Sequence, residues 1–215
     1  DVQWDAREYG IMQAIDYAIE HGANIINLSL GQTQFQYSER FDDVIRKAYE
    51  NGIAVVIAAG NGDVLAYSQS WVNTTVNPVS PICNNAGNVK YSLGVGSLDK
   101  SGKQASWTNY GLCVGLWAPG EDIFSTSVAV YNVQTGVDYA TSSGTSFSAP
   151  MISGIIALGF NKYWFISPDL IHESLMESRV KNSAWNYVID TEKYLEILGI
   201  KIAKKSYQNT VPVAV

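Results

Sequence analysis

At 215 residues the chain is long enough to enclose one sizeable core, and a single domain is expected. A hydrophobic share of 47% with 18 glycines describes a compact, turn-rich globular protein. The net charge of −6 and a sequence pI near 4.8 argue against nucleic acid or an anionic membrane surface as a partner, and no run approaches the roughly 18 apolar residues of a membrane span.

Ile11, Met12, Ala14, Ile15, Ala18 and Ile19 recur at helical spacing and stop at Gly22. They predict an amphipathic helix with His21 as a solvated cap in its last turn. The apolar, β-branched run from Ile25 to Leu30 follows as a buried parallel strand. Phe41, Val44, Ile45, Ala48 and Tyr49 give a second amphipathic helix, ended by Asn51-Gly52, and Ile53 to Ala58 gives a second buried strand. This alternation implies a right-handed crossover and a parallel sheet, hence an α/β fold. In such sheets the ligand site lies beyond the carboxyl ends of the strands, here Ser29-Leu30-Gly31 and Ala59-Gly60-Asn61.

Gly62 to Asn88 is long, polar and aromatic, and reads as a surface excursion of the kind that carries specificity. Short strands around Tyr91 to Gly96, Val114 to Trp117 and Ile123 to Thr126 come next, then a hairpin from Val128 to Ser142. Beyond a helix-like apolar run from Met151 to Phe160, Ser167 caps a helix that opens on Pro168 and reaches about Glu177. His172 on that helix reads as a surface residue. Thr191 to Leu198 reads as a last short helix, and the tail from Lys201 to Val215 as a disordered end or a linker.

The chemistry concentrates in Ser142-Ser143-Gly144-Thr145-Ser146-Phe147-Ser148-Ala149-Pro150. A serine on a Gly-Thr-Ser turn stands at the mouth of the apolar helix, where free N–H groups and the positive end of the dipole converge. Its hydroxyl is well placed to attack a carbonyl and have the resulting oxyanion stabilised. Pro150 is expected in the first helical turn, where its missing N–H costs little.

This stretch resembles the nucleophile motif of the subtilisin-like serine peptidases, the subtilases, with Ser146 matching their nucleophile. Five further landmarks stand in family order. They are Ala23 to Gly31 ending in Ser-Leu-Gly, Ile53 to Asn61, Gly94 to Asp99, Ala105 to Gly111, and Ala118 to Ile123. The resemblance covers nearly the whole chain and thins after about Thr191. It implies a three-layer subtilisin-like fold, a mainly parallel sheet flanked by helices, with residues 1–198 as the C-terminal portion of a catalytic domain and 199–215 as a tail or linker.

By the same resemblance Ser146 forms the acyl-enzyme of a serine endopeptidase, and Asn61 and the Ser146 N–H hold the oxyanion. Ser29, Leu30 and Gly31 offer backbone groups to an extended polypeptide substrate, and Ala58, Ala59 and Gly60 wall the primary pocket. Read alone, Gly60-Asn61-Gly62 is also a good turn sequence. Gln32 stands where many subtilases have a second glycine, which puts the pocket shape there in doubt. Met151 replaces a histidine common after the proline, at a structural position.

Subtilases carry their triad in the order Asp, His, Ser. Neither His21 nor His172 sits in the Gly-Thr-His setting of the family's base, so the base and its aspartate are expected in an N-terminal segment or chain outside these residues. No cofactor is implied, and no His/Cys/Asp/Glu cluster has metal-ligand spacing; the calcium many subtilases bind through carbonyls leaves no sequence signature. Cys83 and Cys113 read alone as two buried thiols. Some secreted subtilases join these two regions by a disulfide, which would suit an oxidising compartment and a secreted or extracytoplasmic protein.

Two other classes stay open. A non-catalytic homologue that binds peptides would need neither Ser146 nor Asn61. A dinucleotide-binding domain is suggested by the strand–helix–strand pattern and Gly60-x-Gly62, but Leu65 stands where the third glycine belongs.

Overall fold

The computed structural model describes residues 2–30, 39–62, 91–111, 114–127, 139–163, 166–184 and 186–210. Helix α1 (Val2–Glu20) leads into β1 (Ile25–Leu28), and α2 (Glu39–Glu50) into β2 (Ala54–Ala58). With β3 (Leu93–Leu98) and β4 (Leu116–Pro119) these strands form a parallel sheet in the order β1-β2-β3-β4. Its register sets Ile26 opposite Val55, Val56 opposite Leu93 and Val95 opposite Leu116.

All five residues of β2 are buried, and successive side chains go to opposite faces. Val55 and Ile57 pack with Ile15 of α1 and with Phe41, Val44 and Ile45 of α2. On the other face lie α3 (Thr145–Lys162), α4 (Pro168–Ser178) and α5 (Thr191–Thr210). There Ala54, Val56 and Ala58 pack with Ile152, Ile156, Ile171, Leu175, Tyr194 and Leu198. Each fully buried aliphatic side chain contributes about 1.5–3 kcal/mol. Helices on both faces give the expected three-layer α/β fold, and explain why the strands read as unbroken apolar runs.

Helix α1 stops as expected. Gly22 adopts φ 72°, its N–H donates to Ile19 O, and the Ala23 N–H donates to Ala18 O. His21 is exposed and stacked on Tyr17, with Nδ1 2.8 Å from Tyr17 O. Ser167 caps α4 by accepting from the Leu170 N–H, with Pro168 opening the helix.

The strand β6 (Tyr139–Ser142) pairs antiparallel with β5 (Ile123–Thr126), and residues 128–138 of the hairpin expected from Val128 lie outside the described residues. One expectation is corrected. Helix α5 does not end at Leu198 but runs to Thr210. Gly199 lies inside it, where a Cβ would collide with the Tyr163 hydroxyl, and Lys201 pairs with Glu173 and Glu177 of α4. After α4 comes a hairpin not expected from sequence, β7 (Arg179–Lys181) with β8 (Tyr187–Ile189). Its turn is held by Asn182, whose Oδ1 accepts the Ala184 and Asn186 N–H groups. Cys83, Cys113 and the excursion beyond Gly62 lie outside the described residues.

Candidate active site

The turn that presents Ser146 is built by close approach. The Gly144 N–H donates to Gly120 O at 2.8 Å, joining the end of β4 to the start of α3. A Cβ on Gly120 would lie 2.2 Å from Ser148 Oγ, 2.3 Å from Ser97 Oγ and 2.9 Å from Gly144 O, so only glycine lets the two segments meet. Helix α3 begins at Thr145, so Ser146 is its second residue.

The strand end opposite is fastened to the same turn. Gly60 sits at φ 100°, and its N–H donates to Thr145 Oγ1 at 3.1 Å. Asn61 Oδ1 accepts from both the Thr145 N–H (2.9 Å) and the Thr145 hydroxyl (2.8 Å). Two bonds on the oxygen fix which way the amide points. Among the described residues its Nδ2 has no acceptor, and the Ser146 N–H has none either. A Cβ on Gly144 would lie 3.3 Å from that Nδ2, so the glycine keeps the space before it open. Two unspent donors and a hydroxyl thus share a helix N-terminus, where the dipole favours negative charge.

Pro150 lies in the second turn of α3, not the first as expected. The helix starts earlier than its apolar run because Asn61, and not local propensity, holds Thr145. The missing N–H of Pro150 orphans the carbonyl of Ser146, four residues back. Ser29 repairs this, its hydroxyl donating to Ser146 O at 2.9 Å, with Asn27 Nδ2 in turn donating to Ser29 Oγ at 2.8 Å. An unsatisfied carbonyl there would cost about 1–3 kcal/mol. The Ser146 hydroxyl itself donates to Ser29 O at 3.3 Å.

Ser29 and Leu30 lie just past β1, an edge strand among the described residues; Gly31 and Gln32 lie outside them. Ala58 and Ala59 are buried, with side chains in the core. The backbone of Ala59 and Gly60 is already engaged, by Val95, Thr145 and Asn109, so these residues have contact surface alone to give a ligand. Met151 packs half-buried against the core, in keeping with a structural position.

The histidines are elsewhere. His21 ends α1, just before β1 begins. His172 lines a small cleft with Tyr49, Tyr91, Pro168, Ala54 and Leu93, at the amino ends of β2 and β3. It is half-buried rather than the surface residue expected, and burial, then Arg179, hold its pKa below the ordinary 6.5 against the pull of Asp169 and Glu173. The five residues of β2 alone, at roughly 3.3 Å each, put about 17 Å between that end of the sheet and Asn61.

Asn109 and Thr145 are site residues that sequence reasoning did not single out. Both are buried and hydrogen-bonded around Asn61 and its turn. Their one sequence signal is position, inside the landmarks that end in Asn-Tyr-Gly and begin with Gly-Thr-Ser.

Comparison with known proteins identifies the family and the fold. The sequence profile of the subtilase family matches residues 4–199. A thermophilic serine proteinase of Bacillus sp. (strain AK1) is 36% identical over 148 residues, covering 69% of this chain and 31% of that protein. Subtilisin DY of Bacillus licheniformis is 30% identical over 167 residues, covering 77% of this chain and 53% of its own length. The solved structure of a cold adapted subtilisin-like serine proteinase superposes with a TM-score of 0.64 at 24% identity, over 84% of this chain and 60% of that one, which speaks for the fold. The chain therefore spans from just under a third to about half of the length of these curated relatives. By its profile and its fold, the chain belongs to the subtilase family.

Proposed function

We propose that the chain carries the nucleophile and oxyanion portion of a serine endopeptidase site. The observation that carries this reading is the pair of free donors, Asn61 Nδ2 and the Ser146 N–H, beside the Ser146 hydroxyl. Ser146 Oγ attacks the scissile carbonyl of a polypeptide once a base takes its proton. The two donors receive the oxygen as it becomes negative, and the peptide is released in two steps through an acyl-enzyme on Ser146. Ser29 and Leu30, past the carboxyl end of β1, offer backbone groups to the extended substrate, and Ala58 to Gly60 border its side-chain pocket.

Both histidines lie at the far end of the sheet, so the base and its aspartate come from polypeptide outside these 215 residues. Two features support such a partner. Helix α3 is apolar almost throughout, yet Pro150, Gly154, Ala157 and Leu158 stand exposed on it. Beside it β1 has a free edge among the described residues. The base-bearing segment covers both. We place the protein outside the cytoplasm, a compartment that would suit the disulfide the resemblance implies between Cys83 and Cys113.

The test compares the 215-residue chain with a longer polypeptide that also carries the base. The chain alone is expected to hydrolyse casein no faster than buffer. The longer protein is expected to hydrolyse it and to lose that activity in Ser146→Ala. In subtilisin itself, a member of this family, loss of the nucleophile costs about 10⁶ in kcat, and that figure is carried over as the scale. Turnover by the chain alone that Ser146→Ala abolishes would show another residue acting as base. A longer protein that binds peptides without cutting them would favour the non-catalytic homologue.

A further inference from the structure

We infer that Asn109 is a positioning residue for Asn61, which extends the reading of Asn61 as an oxyanion donor and rests on it. Asn109 is 0% exposed, in the turn between β3 and β4. Burying an asparagine side chain is costly unless every polar group finds a partner. Here the partners are not scattered. Asn109 Nδ2 donates to Ala59 O at 2.8 Å, the Asn109 N–H donates to Gly60 O at 2.9 Å, and Asn109 Oδ1 accepts the Gly62 N–H at 2.9 Å.

One residue therefore binds the backbone on both sides of Asn61 and leaves position 61 itself untouched. The side chain of Asn61 is free to turn to Thr145, whose two bonds aim its Nδ2. Asn109 sets where the Asn61 backbone stands, and Thr145 sets how its amide is rotated. Asn109 is in turn held to the sheet, since Thr108 Oγ1 donates to Asn109 O and accepts the Ser97 N–H from β3. The three bonds span four residues around a glycine at φ 100°, a backbone that local preference alone would not keep in one place.

Asn109→Ser removes both side-chain bonds without adding volume. Nuclear magnetic resonance of the 15N-labelled 215-residue chain reads the result without turnover. The Asn61 side-chain amide is expected to shift and broaden in Asn109→Ser, and the Thr145 N–H to lose exchange protection. Asn186→Ser is the control, a buried asparagine that holds Gly102 and Gln104 away from the site, and it should leave both signals in place. Unchanged Asn61 and Thr145 signals in Asn109→Ser would overturn the inference.

In the enzyme assembled with its base, Asn109→Ser should lower kcat by roughly 10- to 100-fold with KM within about twofold, because small misplacements of a catalytic group cost that much. In an Asn61→Ala background the same change should cost less than about twofold. An equal loss in both backgrounds would mean Asn109 acts on the fold and not through Asn61, and would also overturn it. The spectra decide the positioning even where the peptidase reading fails. Should Asn109→Ser not fold, exchange in the unsubstituted chain decides instead. Slow exchange of the Asn109 side-chain amide and the Gly62 N–H supports the clamp, and exchange at the rate of free amides sinks it.

Discussion

At the carboxyl ends of β1 and β2 two donors stand without acceptors among the described residues, while at the amino ends of the same strands Tyr49, His172 and His21 are engaged by their neighbours. Asn61 Nδ2 and the Ser146 N–H have no acceptor among the described residues at one end. At the other, Tyr49 donates to Asp169, His172 is half-buried between Tyr49, Tyr91 and Pro168, and His21 is folded back on Tyr17. On the proposed function the end that carries the histidines is the inert one, and reactivity follows unspent hydrogen-bonding capacity, which the fold creates by fixing Asn61 through Thr145.

The largest way to break that contrast is to remove a free donor. Asn61→Ala in the assembled enzyme should lower kcat by about 10²–10³ with little change in KM, a magnitude measured for the equivalent donor in subtilisin and carried over from it. A loss confined to KM would mean Asn61 only holds substrate. Gly120→Ala tests whether the close approach is needed, because its Cβ would press on Ser148, Ser97 and Gly144. Overpacking of this kind costs about 1–3 kcal/mol, which lowers Tm by roughly 2–12 °C for a domain of this size. An unchanged Tm in a thermal scan would mean the turn has room to relax.

Ser29→Ala leaves Ser146 O without a donor and should cost about 1–3 kcal/mol, read by urea unfolding. Pairing it with Pro150→Ala sharpens the point, since the restored N–H at 150 takes over the carbonyl and the Ser29 change should then cost less.

The smallest effect belongs to the inert end. Because the folded state holds the His172 pKa below 6.5, both states are neutral above that value and the histidine imposes no penalty there. As pH falls through 6.5 the unfolded chain takes up its proton first, so stability declines until the lowered folded pKa is reached. His172→Asn should therefore lose less Tm than the parent between about pH 7.5 and about pH 5.5. Parallel losses in the two proteins would show that His172 is not held neutral.

The juxtaposition of the Ser146 turn and the strand end at Asn61 is legible in the sequence as two family landmarks made of particular residue types in short windows, and the β1–α2–β2 unit is readable because burial on both faces forces long apolar runs. The clamp at Asn109 is not. In Asn109-Tyr110-Gly111 an asparagine reads as a turn former, and its burial depends on partners at Ala59 and Gly62, almost fifty residues away. The start of α3 is hidden for the same reason. Thr145, Ser146 and Ser148 are weak helix formers, and the bonds that make them helical come from Asn61 and Gly120. Gly199 reads as a helix end by its local habit, but it stands inside the helix, where Tyr163 leaves no room for a side chain.

Pro150 has a consequence for inheritance. Its ring makes Ser146 dependent on a hydroxyl 117 residues earlier in the chain. While the proline stays, position 29 cannot drift to alanine without exposing that dependence. Once the proline is lost, the constraint on position 29 lifts. Across descendants of this chain position 29 should therefore lose its hydroxyl only where position 150 has already lost its proline, an order written by one absent hydrogen atom.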